Sequence, residues 1–283
     1  MTDIVVSAAW LADHLGEVRV VDVRDAWEFD GIGHVPGAVN VPFDSFRAAE
    51  HAAEGEGDPS TGMLPGVEAW EAVLSDAGIE PDDTLVAYDD THGVFAARFL
   101  LTALAYGHDD VHLLDGDFSA WSRDHEVERG TPDIAETSYE AREPEPGSTP
   151  FVDYETVREA IDEGDLAVLD TREPWEWAEG HLPGAVQLDW RELVDDESRG
   201  LKSDEEIQSI LADHGVTPED RVLLYCNTAR RISHTYVVLR HLGYEDVLFY
   251  EGSLTEWEAR DGPLESAPES ESESKSASES ESV

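Results

Sequence analysis

Lysine is nearly missing from this 283-residue chain, which contains only Lys202 and Lys275. Its 18 basic residues stand against 65 aspartates and glutamates, so the formal net charge at pH 7 is −47. Phosphates of nucleic acids and anionic membrane surfaces repel such a chain, and we expect neither as a partner. Regular apolar segments argue against disorder over most of its length. We therefore interpret the acidity as the surface of a folded protein from a halophilic organism, because the Debye length falls to about 3 Å at 1 M salt.

Long apolar runs are also missing, since no stretch of about 18 apolar residues occurs and no transmembrane helix is predicted. The N-terminal residues lack the cationic start of a signal peptide. Cysteine occurs once, at Cys226, which excludes an internal disulfide and any metal site built from several cysteines. The histidines show no metal-ligand spacing, so we predict no metal and no other cofactor. These features together predict a reducing, cytoplasmic location.

Three motifs occur twice in the same order. The offset between copies falls from 148 residues (Val21 to Leu169) to 136 residues (Val111 to Val247). Two copies of this length favour tandem domains over a short-repeat solenoid. The matched segments are Val21–Phe29 with Leu169–Trp177, Gly33–Val39 with Gly180–Val186, and Val111–Gly116 with Val247–Gly252.

The repeat and the local composition predict four regions. The first domain covers 1–123, and a linker rich in Glu, Pro and Thr covers 124–149. The second domain covers 150–263. Residues 264–283 form a Ser/Glu tail that cannot bury a core and is predicted to be disordered.

Short β-branched runs alternate with helical patterns in each copy. In the second copy, Ala167–Leu169, Val222–Tyr225 and Val247–Tyr250 are typical of buried strands. Apolar residues recur at helical spacing between the last two strands, from Ile232 onward, and Gly243 is a natural helix stop. Strand, helix and strand at these lengths predict an α/β fold in which helices flank a mainly parallel sheet in each domain.

Cys226 follows the apolar run Leu223–Tyr225 and precedes Arg230 and Arg231, behind which a helical pattern begins. Neighbouring cations and helix N-termini favour the thiolate, which is the reactive form of cysteine. A buried, inert thiol is the alternative. The first copy has Asp89 in the matching place, so only the second copy carries the nucleophile.

The chain resembles a known family, the two-domain rhodaneses, which include thiosulfate and 3-mercaptopyruvate sulfurtransferases. The resemblance extends from about Ala8 to Pro263. It rests on the Asp-x-Arg and Gly-His-x-Pro-Gly-Ala motifs of each copy and on the Cys-x4-Arg loop from Cys226 to Arg231. It implies two rhodanese-like domains, the first inactive and the second catalytic. It also implies a Cys226 persulfide that takes sulfur from a small anionic donor and passes it to a thiophilic acceptor such as cyanide.

The resemblance assigns the loop residues to substrate binding. Arg231 is expected to bind the anion; the alternative is that it caps loop carbonyls or forms a structural ion pair. Arg230 either contacts substrate or is a solvated surface charge. Asn227, Thr228 and Ala229 would contribute mainly backbone N–H donors.

Residues outside the loop are assigned structural roles. Asp170 and Arg172 are predicted to form a buried hydrogen-bond network that holds the loop. His34 and His181 are expected to be structural turn residues.

Two residues that differ from the family pattern affect which sulfur donor is predicted. Thr228 stands where thiosulfate-preferring members often have lysine, and Glu176 replaces an arginine present in some members. Thiosulfate is still favoured, because Arg230 and Arg231 supply two cations for a small dianion. The alternatives are a 3-mercaptopyruvate sulfurtransferase and a persulfide carrier that serves a protein partner. A related phosphatase would need arginine at position 232, where this chain has isoleucine.

Overall fold

The computed structural model describes residues 3–48, 63–144, 147 and 149–267, which form two α/β domains. Each domain contains one sheet of five parallel strands, in the orders β1-β5-β4-β2-β3 and β6-β10-β9-β7-β8. Their central strands are buried on both faces and helices cover both sides, as an all-parallel sheet requires. The predicted fold class is therefore confirmed.

Strands and helices alternate along each domain. The first domain consists of β1 (Val5–Val6), α1 (Ala8–His14), β2 (Arg19–Asp22), α2 (Ala26–Gly31), β3 (Val39–Asn40), a 3₁₀ helix (Phe43–Phe46), α3 (Val67–Asp76), β4 (Leu85–Tyr88), α4 (Val94–Ala105), β5 (Val111–Leu114) and α5 (Phe118–Asp124). The second consists of β6 (Phe151–Val152), α6 (Tyr154–Glu163), β7 (Ala167–Asp170), α7 (Pro174–Glu179), β8 (Val186–Gln187), a 3₁₀ helix (Trp190–Leu193), α8 (Asp204–Asp213), β9 (Val222–Tyr225), α9 (Arg230–His241), β10 (Val247–Tyr250) and α10 (Ser253–Ala259).

The three strands predicted in the second copy are present. β9 and β10 have the predicted bounds, and β7 is one residue longer because Asp170 still pairs with Tyr225. The predicted helix is α9, whose buried face includes Ile232 and Leu239. Gly243 follows it at φ +86°, in the left-handed region that favours glycine at a helix end.

A longer segment between two matched contacts of the first copy explains why the offset between copies shrinks. The backbone N–H of Ala48 donates to the carbonyl of Met63, as that of Asp195 donates to the carbonyl of Gly200. The offset is 147 between Ala48 and Asp195 but 137 between Met63 and Gly200, so the first copy has ten additional residues here. All the residues between Ala48 and Met63 lie outside the described ranges.

The two domains contact each other through matched groups. The N–H of Leu201 donates to Asp115 Oδ1 at 2.8 Å, and the N–H of Leu64 donates to Glu251 Oε1 at 2.9 Å. Since these pairs are equivalent in the repeat, the domains are related by an approximate two-fold axis. Helices α4 and α9 pack against each other across it.

Segments that follow each domain pair with it. Glu128 forms a bridge with His34, and Glu265 forms the equivalent bridge with His181. Tyr139, within the predicted linker, is buried and donates its N–H to Ser75 Oγ at 3.0 Å. The linker therefore packs on the first domain. Of the predicted disordered tail, residues 268–283 lie outside the described part of the chain.

None of the helices in the described ranges is both long and apolar enough to cross a membrane.

Candidate active site

Cys226 directly follows β9 and is only 1% exposed. Its backbone is fixed from the far side by α10, because its N–H donates to Ser253 Oγ at 3.2 Å and its carbonyl accepts from the N–H of Leu254 at 2.9 Å. The position of the thiol is thus set by two elements that belong to the second domain.

The loop after Cys226 turns at Ala229, which adopts φ +59° and is buried. This left-handed conformation costs an L-residue about 1 kcal/mol. Ser233 Oγ donates to the Ala229 carbonyl at 2.7 Å and helps to hold the turn. α9 begins at the next residue, so the loop opens onto a helix N-terminus, where the dipole favours negative charge.

The first copy presents a corresponding loop with a carboxylate built into it. The buried Asp89 carboxylate accepts hydrogen bonds from backbone N–H groups at 2.7 to 3.0 Å; the donors are Thr91, Gly93, Phe95 and Ala96. Burial raises the pKa of Asp89, and these four donors offset part of that rise. The loop turns at His92, at φ +55°, which is 137 residues before Ala229. Both loops therefore turn at the matched residue, but the first loop has a second left-handed residue, Gly93 at φ +84°, where the second already begins α9 at Arg230.

The predicted Asp–Arg network is confirmed. Arg172 donates from Nε and from NH2 to Asp170, and NH2 also donates to the Gly180 carbonyl at 2.6 Å. Tyr225 completes the network by donating to Asp170 Oδ2 at 2.5 Å. Arg172 NH1 reaches Asn227 Oδ1 at 3.4 Å and so connects the network to the active loop.

Glu176 holds the loop from its outer side, a role that the sequence analysis missed. Its Oε1 accepts from Asn227 Nδ2 at 2.7 Å, and its Oε2 accepts from Arg231 NH1 at 2.5 Å. Burial raises the pKa of Glu176, but hydrogen bonds from Arg231, from the N–H of Glu173 and from Asn227 hold it below its usual range. Glu176 is therefore a carboxylate that pairs with one of the two predicted substrate arginines.

Cys226 lies at a cleft of about 200 Å³ between the two domains. The structure brings the predicted loop residues together here, except that Ala229 forms the turn behind them. The cleft is lined by Cys226, Asn227, Thr228, Arg230, Arg231, Trp190 and Arg191 of the second domain and by Thr91, Val94 and Phe95 of the first.

Trp190 and Arg191 were not predicted as site residues. They lie on the second 3₁₀ helix, where Arg191 pairs with Glu173 at 2.8 Å. One signal was present in the sequence: Arg191 corresponds to Asp44 of the first copy, so the charge reverses at a matched position. At this matched position, only the second copy places a cation at the cleft.

The motif histidines lie outside the cleft. His34 stacks on Phe29, and His181 stacks on Trp177 with its Nδ1 2.7 Å from the Trp177 carbonyl. Among the described residues, no group of three or more histidine, cysteine, aspartate or glutamate side chains could hold a metal ion.

The chain belongs to the rhodanese family, since the rhodanese-like domain matches residues 7–124 and again residues 153–260. It is similar to a thiosulfate sulfurtransferase of Pseudomonas aeruginosa, with 33% identity over 90% of this chain and 93% of that protein. A thiosulfate sulfurtransferase of Azotobacter vinelandii is 32% identical over 85% and 88% of the two chains. The fold is that of the Escherichia coli 3-mercaptopyruvate sulfotransferase SseA, with a TM-score of 0.75, 24% identity, and coverage of 89% and 99%.

Proposed function

We propose that this chain is a thiosulfate sulfurtransferase in which Cys226 carries the sulfur. The Cys226 thiolate attacks the outer sulfur of thiosulfate, the S–S bond of the donor breaks, and its electron pair leaves with sulfite. The persulfide formed on Cys226 is then attacked at its outer sulfur by a thiophilic acceptor such as cyanide. Thiocyanate leaves, and the thiolate is restored for the next turnover.

The observation that carries this proposal is the Asp89 loop of the first copy. Its four backbone donors surround a carboxylate, and the backbone N–H groups at the matching positions of the second copy belong to Thr228, Arg230, Ile232 and Ser233. Backbone N–H groups of this loop and the N-terminus of α9 would stabilise an anionic sulfur at Cys226 without any metal. Thiolate and persulfide are both anionic, so one cradle serves both covalent states.

The first domain contributes a wall rather than a second active site. A carboxylate cannot carry a sulfane sulfur, and Asp89 already fills its own cradle. Val94 and Phe95 of this domain close the apolar side of the cleft above Cys226. Exclusion of water on that side strengthens the electrostatic interactions of the bound anion.

A single-turnover experiment tests the mechanism. The protein incubated with thiosulfate and no acceptor should gain the mass of one sulfur atom on the peptide that contains Cys226 and release an equal amount of sulfite. Cyanide should then remove that mass as thiocyanate. Cys226→Ser should lose both steps, because serine is not ionised at neutral pH and forms no persulfide; turnover of thiosulfate by this variant would contradict the proposal.

We also propose that the protein works at high salt in the cytoplasm of a halophile. The net charge of −47 supports the first point, and the free thiol of Cys226, which must stay reduced to react, supports the second. The partners we propose are thiosulfate and a thiophilic acceptor, either a small molecule such as cyanide or a protein that receives the sulfur. The domain boundaries proposed from the sequence are 1–123, 124–149, 150–263 and 264–283.

A further inference from the structure

Three arginines line the cleft beside Cys226, and they differ in how they are paired. Arg191 pairs with Glu173 at 2.8 Å and with Asp189 at 3.6 Å. Arg231 pairs with Glu176, whose side chain is only 9% exposed. Arg230 is exposed and forms no ion pair or hydrogen bond with any residue in the described ranges. One cation at the cleft is therefore uncompensated.

We infer, on the basis of the proposed function, that Arg230 binds the charge of the donor whereas Arg231 positions the loop. The Arg231–Glu176 pair is close to neutral as a unit, so it attracts a dianion weakly. Its contacts are instead structural: the same carboxylate binds Arg231 at one end of the loop and Asn227 beside the cysteine. The pair thus ties α9 and the loop to α7. Glu176 and Arg231 are positioning residues, and Arg230 determines the preference for a doubly charged donor.

The separate roles of Arg230 and Arg231 predict different effects on donors of different charge. A coulombic contribution to donor binding scales with the donor's charge, whereas a misplaced loop slows every donor alike. Thiosulfate carries two negative charges, and methanethiosulfonate carries one while offering the same kind of outer sulfur. We therefore compare the second-order rate constants with which the two donors load Cys226, measured without acceptor at one fixed KCl concentration. Their ratio reports the charge of the cleft.

Arg230→Ala should slow loading by thiosulfate about tenfold, as expected for loss of one charge-assisted contact. Loading by the monoanion should slow about threefold, the square root of that factor, so the ratio should fall about threefold. Arg230→Lys, which keeps the charge, should restore most of the ratio. Arg158→Ala is a matched control, because Arg158 is exposed on α6 and does not line the cleft; it should change neither rate.

Variants of the pair should behave differently. Glu176→Gln leaves the Arg231 charge uncompensated and should raise the ratio above that of the parent chain. Removing Arg231 alone would leave Glu176 unpaired, so the pair is removed together in E176Q/R231Q. That double variant should load more slowly from both donors but keep the parent ratio, and Arg231→Lys, which can still pair with Glu176, should keep most of the loading rate.

Two results would overturn the division between the arginines while leaving the proposed function intact. One is an Arg230→Ala protein with the parent ratio. The other is an E176Q/R231Q protein whose ratio falls as far as that expected for Arg230→Ala. A parent chain that loads from neither donor would instead overturn the proposed function and this inference with it.

Discussion

Asp89 is the residue that most clearly separates the two copies. Its carboxylate accepts hydrogen bonds from four backbone N–H groups of its own loop. These bonds give the residue a structural role within its loop. The cost of replacing it should appear in stability and not in turnover.

Asp89→Ala should lower the free energy of unfolding by about 3 kcal/mol, since each buried N–H left without an acceptor costs about 1–3 kcal/mol and removal of a desolvated carboxylate offsets part of the loss. Turnover with thiosulfate should stay close to that of the parent chain. Urea unfolding and steady-state kinetics in the same buffer measure the two effects. Asp76→Ala, an exposed substitution on α3, should change neither by a measurable amount.

A loss of turnover in Asp89→Ala comparable to that of Cys226→Ser would contradict the assignment of the first copy as silent. If the variant loses both stability and activity at the assay temperature, the kinetics are repeated well below its unfolding transition. Activity measured there reports the folded protein alone.

At the scale of elements, the same network ties a strand, a turn and a neighbouring strand in each domain. Tyr225 donates to Asp170 and accepts from the N–H of Leu182 at 3.1 Å, and burial raises its pKa far above the ordinary value. Tyr88 makes the equivalent contacts with Asp22 and Val35. The two networks are thus matched in structure, but among the described residues only the second has a hydrogen bond, from Arg172 to Asn227, that reaches the loop after the matched strand.

Tyr225→Phe and Tyr88→Phe form a matched pair of variants. Each should destabilise the chain by about 1–3 kcal/mol, because each leaves one buried N–H without an acceptor and removes one hydrogen bond from a carboxylate oxygen that keeps its arginine partner. Only Tyr225→Phe should also lower kcat, since Arg172 connects its network to Asn227. Thermal unfolding and kinetics with thiosulfate distinguish the two; equal loss of kcat in both variants would show that the network does not act through the active loop.

Elements with local signals could be predicted from the sequence, whereas contacts between distant elements could not. β9 and α9 follow from an apolar run, a helical period and Gly243. The Glu176 contacts join residues 51 and 55 positions apart in the chain, and no local pattern fixes such a pairing. Arg231 was predicted to bind the anion, with a structural role as the alternative, and the packing of α7 against the loop brings a carboxylate to its guanidinium that no local pattern indicates.

The charge of the whole molecule governs its dependence on salt. If each of the 18 basic residues paired with one acidic residue, 47 of the 65 acidic residues would still be left unpaired. Their mutual repulsion opposes the compact state and is weakened by screening. The melting temperature should therefore rise steeply between about 0.1 and 2 M KCl, over which the Debye length falls from about 10 Å to below 3 Å.

Sucrose at matched osmolality is the control for this titration, because it stabilises by exclusion from the surface without screening charge. A KCl profile that follows the sucrose profile, or that stays flat, would show that the acidity is not an adaptation to salt.

The reciprocal contacts of Leu64 with Glu251 and of Leu201 with Asp115 have the self-complementary form of an isologous homodimer. In a true homodimer, any substitution appears at both sites, so a loop cannot hold a carboxylate in one subunit and a thiol in the other. Joining the two halves in one polypeptide removes that constraint. One half can then carry a carboxylate that stabilises its own loop, while the other half keeps a thiol at the matching position and packs against the stabilised half.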